Sequence, residues 1–207
     1  FENLYIDEAI PLLVDQVFTA DYDGSPELMI NRTDHRGHIP FVTATVRGAF
    51  SDDDTDIEFV TLHAVERYGL DITYPEITEA WMTHINDFIW VANREARNLM
   101  DKGFVAPDTG RKENNKHWFQ IDPQLVNEIW SAFYPGMVEQ ATERALWGAR
   151  ITNDDWGTHP TIAYGAMISA AFFESDVNKL MKIAVNSVPR KGPFAEGMRD
   201  VIQWHKK

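Results

Sequence analysis

A short acidic run that leads directly into a helical pattern constrains this chain more than any other stretch. Residues 51–58 contain five carboxylates and two hydroxyls, in the order Ser51-Asp52-Asp53-Asp54-Thr55-Asp56-Ile57-Glu58. Apolar or small residues then recur at helical spacing, at Ile57, Val60, Thr61, Ala64 and Val65. The pattern predicts a helix with an acidic N-terminus, where free backbone N–H groups and the helix dipole favour negative charge.

The surplus charge of this run indicates a bound cation. One helix cap needs one side chain, whereas three consecutive Asp residues repel each other unless a cation neutralises them. Hard divalent cations such as Mg²⁺ prefer oxygen ligands of this kind. The alternative is a solvated, over-acidic cap. An EF-hand loop is excluded, because Ile57 stands where Gly is needed and His63 stands where Glu is needed.

Composition limits the classes of protein to which the chain can belong. Its 207 residues, 44% of them hydrophobic, are enough for one globular domain with a sizeable core. The net charge of −13 and the lack of a basic stripe argue against nucleic-acid binding. Without Cys there is no thiolate metal site and no Cys nucleophile, and the compartment stays open. No apolar run approaches the ~18 residues of a membrane span.

The hydrophobic pattern predicts a single all-α domain over residues 1–207, with an irregular N-terminal segment at 1–50 and a helical core at 51–207. In the first segment, a helix at 10–19 and a strand at 41–46 are plausible. In the second, the predicted helices are at 54–68, 74–90, a stretch that ends at 101, 123–133, 136–149, a small-residue segment at 161–173, one capped by Ser175 and one from Pro193 to Lys207. The polar loops at 103–121 and 153–160 are predicted to meet at one end and to bind ligand.

The spacing Asp52-Asp53-x-x-Asp56 is similar to the Mg²⁺-diphosphate cluster of all-α isoprenoid synthases. In those enzymes the cluster lies within or at the end of a long apolar helix, and a second acidic helix motif is needed. Here residues 45–50 do not read as a helix, and Asn153-Asp154-Asp155 lies in a loop. These differences weaken the match, and an isoprenoid synthase-like enzyme is kept only as an alternative.

Asp52-Asp53-Asp54-Thr55 also resembles Thr-Asp-Asp-Thr, the first metal motif of the ADP-ribosylglycohydrolase family, with Asp52 in place of the first Thr. This family includes the dinitrogenase-reductase-activating glycohydrolase. Its longer bacterial-type members show further motifs in an order similar to that seen here. The resemblance covers about residues 50–207, through Ala92–Asn98, Gly103 to Pro107, Ile121–Trp130, Pro135–Met137, Trp156-Gly157 and Tyr164–Met167.

The resemblance implies an all-α hydrolase that cleaves an N- or O-glycosidic bond to ADP-ribose or a related glycosyl group. Mg²⁺ would be the cofactor, with two ions in a complete family member. Asp53 and Asp54 would carry the catalytic site as metal ligands, with Asp52 in the third ligand position. The residues that match substrate-contacting segments are Asp122, Asn127, Asp155, Trp156 and His159.

These substrate-contact residues have simpler interpretations as well. Asp122 can be the N-cap of its own helix. Asn127 and the neighbouring Glu128 can be ordinary surface residues. His159 can be an exposed loop histidine, and Trp156 can belong to the core.

Two family segments have no counterpart in the sequence. One is an N-terminal Gly-Asp-Ala-Leu-Gly…Glu segment, and the other is a C-terminal Asp-x-Asp-Thr/Ser segment that completes the two-metal site. The resemblance thus implies at best half of a dinuclear site. The chain is expected to be either part of a longer enzyme or a shortened relative that binds ADP-ribose or a protein partner without turnover.

Overall fold

The computed structural model describes residues 5–6, 41–42, 53–85 and 89–205, with side chains from Asp54 onward. The chain divides into two compact units, residues 1–51 and residues 52–207. In the first unit, strands β1 (Tyr5–Ile6) and β2 (Phe41–Val42) pair in parallel, with Tyr5 opposite Phe41. The predicted strand is thus confirmed at 41–42. The predicted helix at 10–19 and the rest of 1–50 lie outside the described residues.

The described part of the second unit is built from helices and turns, which confirms the all-α fold class. Its elements are α1 (Asp53–Tyr68), α2 (Tyr74–His84), α3 (Val91–Asp101), α4 (Asp122–Leu125), α5 (Glu128–Ala132), α6 (Val138–Ala149), a 3₁₀ turn (Asp155–Thr158), α7 (His159–Ala171), α8 (Val177–Asn186) and α9 (Pro193–His205). None of these helices has the length and apolarity needed to cross a membrane.

The larger hydrophobic core lies where α1 packs against α2 and α5. The apolar stripe of α1 predicted from the sequence faces this core, since Ile57 and Ala64 are buried while Val60 and Val65 lie at its margin. Trp81 of α2 and Trp130 of α5 are its largest fully buried side chains. The stripe thus fixes which face of α1 is turned away from solvent.

Helix α7 is the central helix of the second half and packs against α4, α5, α6 and α8. Its small residues allow this close packing, as the sequence predicts. A Cβ added at Gly165 would overlap the Ser131 side chain of α5 and the Ala145 side chain of α6. A smaller core between α7, α8 and α9 contains Ile162 and Ala184.

Three predicted helix boundaries are wrong. Helix α2 ends at His84 rather than near residue 90. The predicted helix at 123–133 is two short helices, because Asn127 leaves helical geometry and its Nδ2 donates a hydrogen bond to the Pro123 carbonyl. The cap of α8 is Asp176 rather than Ser175, since its carboxylate accepts hydrogen bonds from two backbone N–H groups of the first turn.

The loop at 103–121 is a series of packed turns rather than a structureless segment. Asn115 is fully buried, and its Nδ2 donates to the carbonyls of Ala92, Thr109 and Thr152 at 3.0–3.2 Å. Thr109 Oγ1 donates to the Ile151 carbonyl. These bonds attach the loop to α3 and to the turn that follows α6, so it forms part of the scaffold.

Candidate functional site

Three carboxylates from α1 and α5 interact at one place, and we call Asp54, Glu58 and Glu128 the acidic cluster. Glu58 Oε1 accepts a hydrogen bond of 3.1 Å from the backbone N–H of Ile129, in the first turn of α5. The negative charges of Glu58 and, from the first turn of α1, of Asp54 act on the Glu128 carboxyl. The end of α1 that the sequence singled out therefore faces an acidic partner from a distant segment.

The electrostatics of the acidic cluster set the protonation of Glu128. Burial of the carboxyl and repulsion by Glu58, with a further contribution from Asp54, raise the pKa of Glu128 to about 7. The Glu128 residue as a whole nevertheless remains exposed, so solvent or a ligand can reach it. Glu128 is therefore partly protonated at neutral pH, and a nearby cation would relieve the same repulsion.

The acidic cluster supplies the donor type that Mg²⁺ prefers, because all its side-chain donors are carboxylate oxygens. Asp53 is the first residue of α1, and its side chain, like all of Asp52, lies outside the described residues. Asp54 is half-buried and engaged with its surroundings. Among the described side chains, which begin at Asp54, no three His, Cys, Asp or Glu residues lie close enough together to hold a metal. A complete metal site here therefore needs further oxygen ligands.

Asp122 caps a helix, but not the predicted one. It is the first residue of α4, and its Oδ1 accepts hydrogen bonds from the N–H groups of Ala92 and Asn93, at 2.8 and 3.1 Å, in the first turn of α3. Burial raises the pKa of the Asp122 carboxyl, and the backbone donors oppose that shift. The interpretation as a cap of its own helix is wrong, because tertiary packing directs the carboxylate to α3. Its predicted substrate contact stays a prediction.

Asn127 is buried in the junction between α4 and α5. Its Nδ2 donates a hydrogen bond to the Pro123 carbonyl, and its Oδ1 lies against Gly148 of α6, where an added Cβ would overlap it. The side chain thus sets the turn that brings Glu128 to the acidic cluster. The interpretation as an ordinary surface residue is wrong for Asn127, because 4% of it is exposed.

The second predicted loop brings an aromatic and an acidic side chain to its surface. Asp155 has a backbone φ of 46° and pairs with Lys112 across 3.2 Å. Trp156 packs against Trp118 and Phe119, with ring centres 5.3 and 6.2 Å away, and we call these three rings the aromatic cluster. Phe119 is 44% exposed, which leaves an aromatic face available for stacking.

His159 opens α7 and is only partly buried. Its Nδ1 is buried and has no hydrogen-bond partner among the described residues. Burial lowers the pKa of His159, and the charge of Asp155 opposes that shift. The loop thus brings Asp155 and His159 within electrostatic reach, and a neutral imidazole is favoured at physiological pH.

A polar cleft of about 440 Å³ adjoins this loop, between the 103–121 segment and the turn after α6. Arg111 and Arg150 lie along it together with acidic side chains. Asp154 is held by the N–H groups of Lys112 and Asp155. Arg111 pairs with Asp108 at 2.9 Å. The cleft has the volume of a small-molecule site, but its lining is polar and charged rather than mostly apolar.

The sequence alone missed Glu58 and Glu128 as candidate site residues. The sequence pattern leaves Glu58 either on the helix surface or behind the metal ligands, and it leaves Glu128, like Asn127, as an ordinary surface residue. The contact that joins their segments spans 71 positions of sequence, and no local pattern could pair them. The only available signal was that Glu58 belongs to the acidic run itself.

In comparisons with known proteins, no family model, no curated protein and no solved structure matches the chain.

Proposed function

We propose that the chain is a Mg²⁺-dependent glycohydrolase-like protein that acts on an ADP-ribosyl or related N- or O-glycosidic bond. One observation carries the proposal. Two carboxylates of the acidic run, Asp54 and Glu58, lie near Glu128 and help to raise the pKa of Glu128 to about 7. Concentrated like charge with a strongly shifted pKa is typical of functional sites.

Mg²⁺ would be held by Asp53 and Asp54, with Asp52 as a further ligand, and would supply Lewis-acid stabilisation of ribose oxygens. The chain's own residues supply proton handling. The Ile129 N–H holds Glu58 in place as an acceptor. Glu128 is solvent-accessible and its pKa is about 7 in the metal-free chain, so it suits proton transfer at the reacting bond. A cation held by Asp54 would lower that pKa and favour Glu128 as the base that activates water.

The test is Mg²⁺-dependent release of ADP-ribose from an ADP-ribosylated peptide, measured with Mg²⁺ and with EDTA. We expect Asp53→Asn and Asp54→Asn each to lower the rate by at least about a hundredfold. Glu128→Gln should lower the rate at least about tenfold and remove the part of its pH dependence that comes from this carboxyl. Asp200→Asn, an exposed residue on α9, is the matched control and should leave the rate unchanged.

Three outcomes would contradict the proposal: metal-independent hydrolysis, full activity in both Asp53→Asn and Asp54→Asn, or turnover of an allylic diphosphate instead. The last would favour the isoprenoid synthase-like alternative.

A relative that binds ADP-ribose without turnover is the second candidate. The observation that favours it is the aromatic cluster, in which Phe119 is 44% exposed and can stack on a base or sugar. Calorimetric titration with ADP-ribose separates the two candidates, because saturable binding without release of product from the peptide substrate supports binding alone. Replacing Trp156 by Ala should then weaken binding at least about tenfold, because the aromatic cluster would lose a stacking face.

A further inference from the structure

Two histidines face each other across the hairpin of α1 and α2, away from the residues used above. The ring centres of His63 and His84 are 5.0 Å apart, and the ring planes are at 87° to each other. Both residues are exposed, and with Phe59 and Val60 they line a hollow of about 300 Å³. Neither imidazole has a hydrogen bond or an ion pair with another of the described residues. Both rings therefore have nitrogens available to a ligand.

The spacing of the rings fits two imidazoles on one metal ion. A metal–nitrogen bond of about 2.0–2.1 Å places each ring centre about 3.2 Å from the metal, so two rings on a tetrahedral ion are about 5 Å apart. The observed separation of 5.0 Å agrees with this value. An edge-to-face aromatic contact without metal has a similar spacing, and the experiment below separates the two.

We propose that His63 and His84 form a two-imidazole site for a divalent transition-metal ion of the Ni²⁺ or Zn²⁺ type, with water completing the coordination. Imidazole nitrogen suits these ions and not Mg²⁺. On α1, His63 follows Glu58 by five residues and Asp54 by nine, which is about 7.5 and 14 Å along the helix at 1.5 Å per residue. The histidine pair differs from the acidic cluster in donor type.

The surroundings of the pair decide what kind of site this is. No third His, Asp or Glu joins the two histidines within the described residues. Phe59 and Val60 shield one side, and an apolar shell strengthens metal–ligand bonds by limiting competition from water. Because the two ligands belong to different helices, a bound ion would link α1 to α2 and stabilise the folded chain by an amount that grows with the logarithm of the metal concentration above Kd.

The experiment is calorimetric titration of the untagged full chain with Ni²⁺ and with Zn²⁺, in parallel with thermal unfolding. The wild type should bind one ion, and its unfolding midpoint should rise with metal concentration. His63→Ala and His84→Ala should each weaken binding at least about tenfold, because each removes one of two linked ligands. His205→Ala, an exposed histidine near the end of α9, is the matched control and should change affinity less than about twofold.

A second readout locates the ion. In Zn²⁺ titrations followed by imidazole NMR, the signals of His63 and His84 should shift before those of the other histidines. If an Ala variant fails to fold, His63→Gln and His84→Gln keep a polar side chain of similar size. Three results would overturn the proposal. They are no binding by the wild type up to about 1 mM metal, unchanged binding when His63 and His84 are both replaced by Ala, or loss of binding only when His35 and His38, two further closely spaced histidines, are replaced.

Discussion

Asp122 and Glu128 lie six positions apart, and burial raises the pKa of both carboxyls, yet their surroundings are opposite. Asp122 accepts two backbone N–H bonds at the start of α3. Glu128 instead faces Glu58 and Asp54. Donors that surround a carboxylate stabilise the fold, whereas other carboxylates that surround it cost stability. A raised pKa therefore does not by itself identify a functional residue, and the partners of the group distinguish the two cases.

The same contrast separates the 103–121 loop, which precedes Asp122, from the acidic cluster. The 103–121 loop satisfies its buried Asn115 and Thr109 with carbonyls from neighbouring segments. The acidic cluster concentrates negative charge at one exposed point. Proteins retain such destabilising arrangements where function requires them. The first region is expected to lose stability on substitution, and the second to gain it.

The largest loss of stability is expected on substitution of Gly110, where the 103–121 loop approaches the turn after α6. A Cβ at this position would overlap the Arg150 carbonyl and the Asn153 backbone, and backbone atoms cannot move aside cheaply. Gly110→Ala should destabilise the chain by about 3 kcal/mol, measured by urea unfolding. The matched control is Gly197→Ala in α9, where an added Cβ meets nothing within 4 Å. That variant should be stabilised by about 0.5–1 kcal/mol, and equal destabilisation of both would refute the close approach.

Removal of the Asp122 carboxylate is expected to have the next largest effect. Asp122→Ala leaves two buried N–H groups of α3 without acceptors and should cost about 2–3 kcal/mol. Asp176→Ala removes an exposed cap of the same type from α8 and should cost about 1 kcal/mol. Denaturant midpoints of the two variants make the comparison. An equal or smaller loss in Asp122→Ala would mean that its buried bonds add nothing to ordinary capping.

Neutralising Glu128 should stabilise the fold, whereas the two preceding substitutions should destabilise it. Its pKa is about 7 in the folded chain and near its ordinary value of 4.5 when unfolded, so the folded chain holds the proton more tightly. The Glu128 carboxyl therefore does not lower the free energy of unfolding below pH 4.5. Its destabilising contribution grows as the pH rises from 4.5 through 7. Glu128→Gln should be more stable than the wild type by about 1 kcal/mol at pH 8, allowing for solvent screening.

The pH dependence of this gain is the diagnostic measurement. The difference between Glu128→Gln and the wild type should vanish near pH 4.5, as followed by urea unfolding at both pH values. Glu143→Gln, an exposed residue of α6, is the control and should show no gain that depends on pH. A loss of stability in Glu128→Gln at pH 8 would show that the carboxylate has favourable partners.

The smallest effect is expected at the surface pair of Lys112 and Asp155. Their 3.2 Å contact is solvent-exposed, and the hydrogen bond to Asp155 raises the pKa of Lys112. Exposed pairs of this kind add little to stability. The thermal midpoint of Lys112→Ala should match that of the wild type within experimental scatter. A clear loss would show that the pair holds the 3₁₀ turn in place.

Much of the fold could be read from local patterns. The stripe at Ile57 and Ala64 predicted both α1 and its buried face, and the small residues around Gly165 predicted close packing of α7. The errors arose where side chains choose distant partners. The sequence around Asp122 contains the pattern of a local cap, and only packing of α4 against α3 redirects that carboxylate. Likewise, Asn127 breaks a segment that reads as one continuous helix.

The sequence by itself determined the all-α class and the acidic start of α1, because helical periodicity and capping are local properties. The roles of Asp53 and Asp54 as Mg²⁺ ligands are still predictions. Only the tertiary structure decided that Glu58 meets Glu128 and that His63 faces His84, because each pair joins separate helices. Local rules specify which residues a helix presents, and helix packing specifies which of them come together.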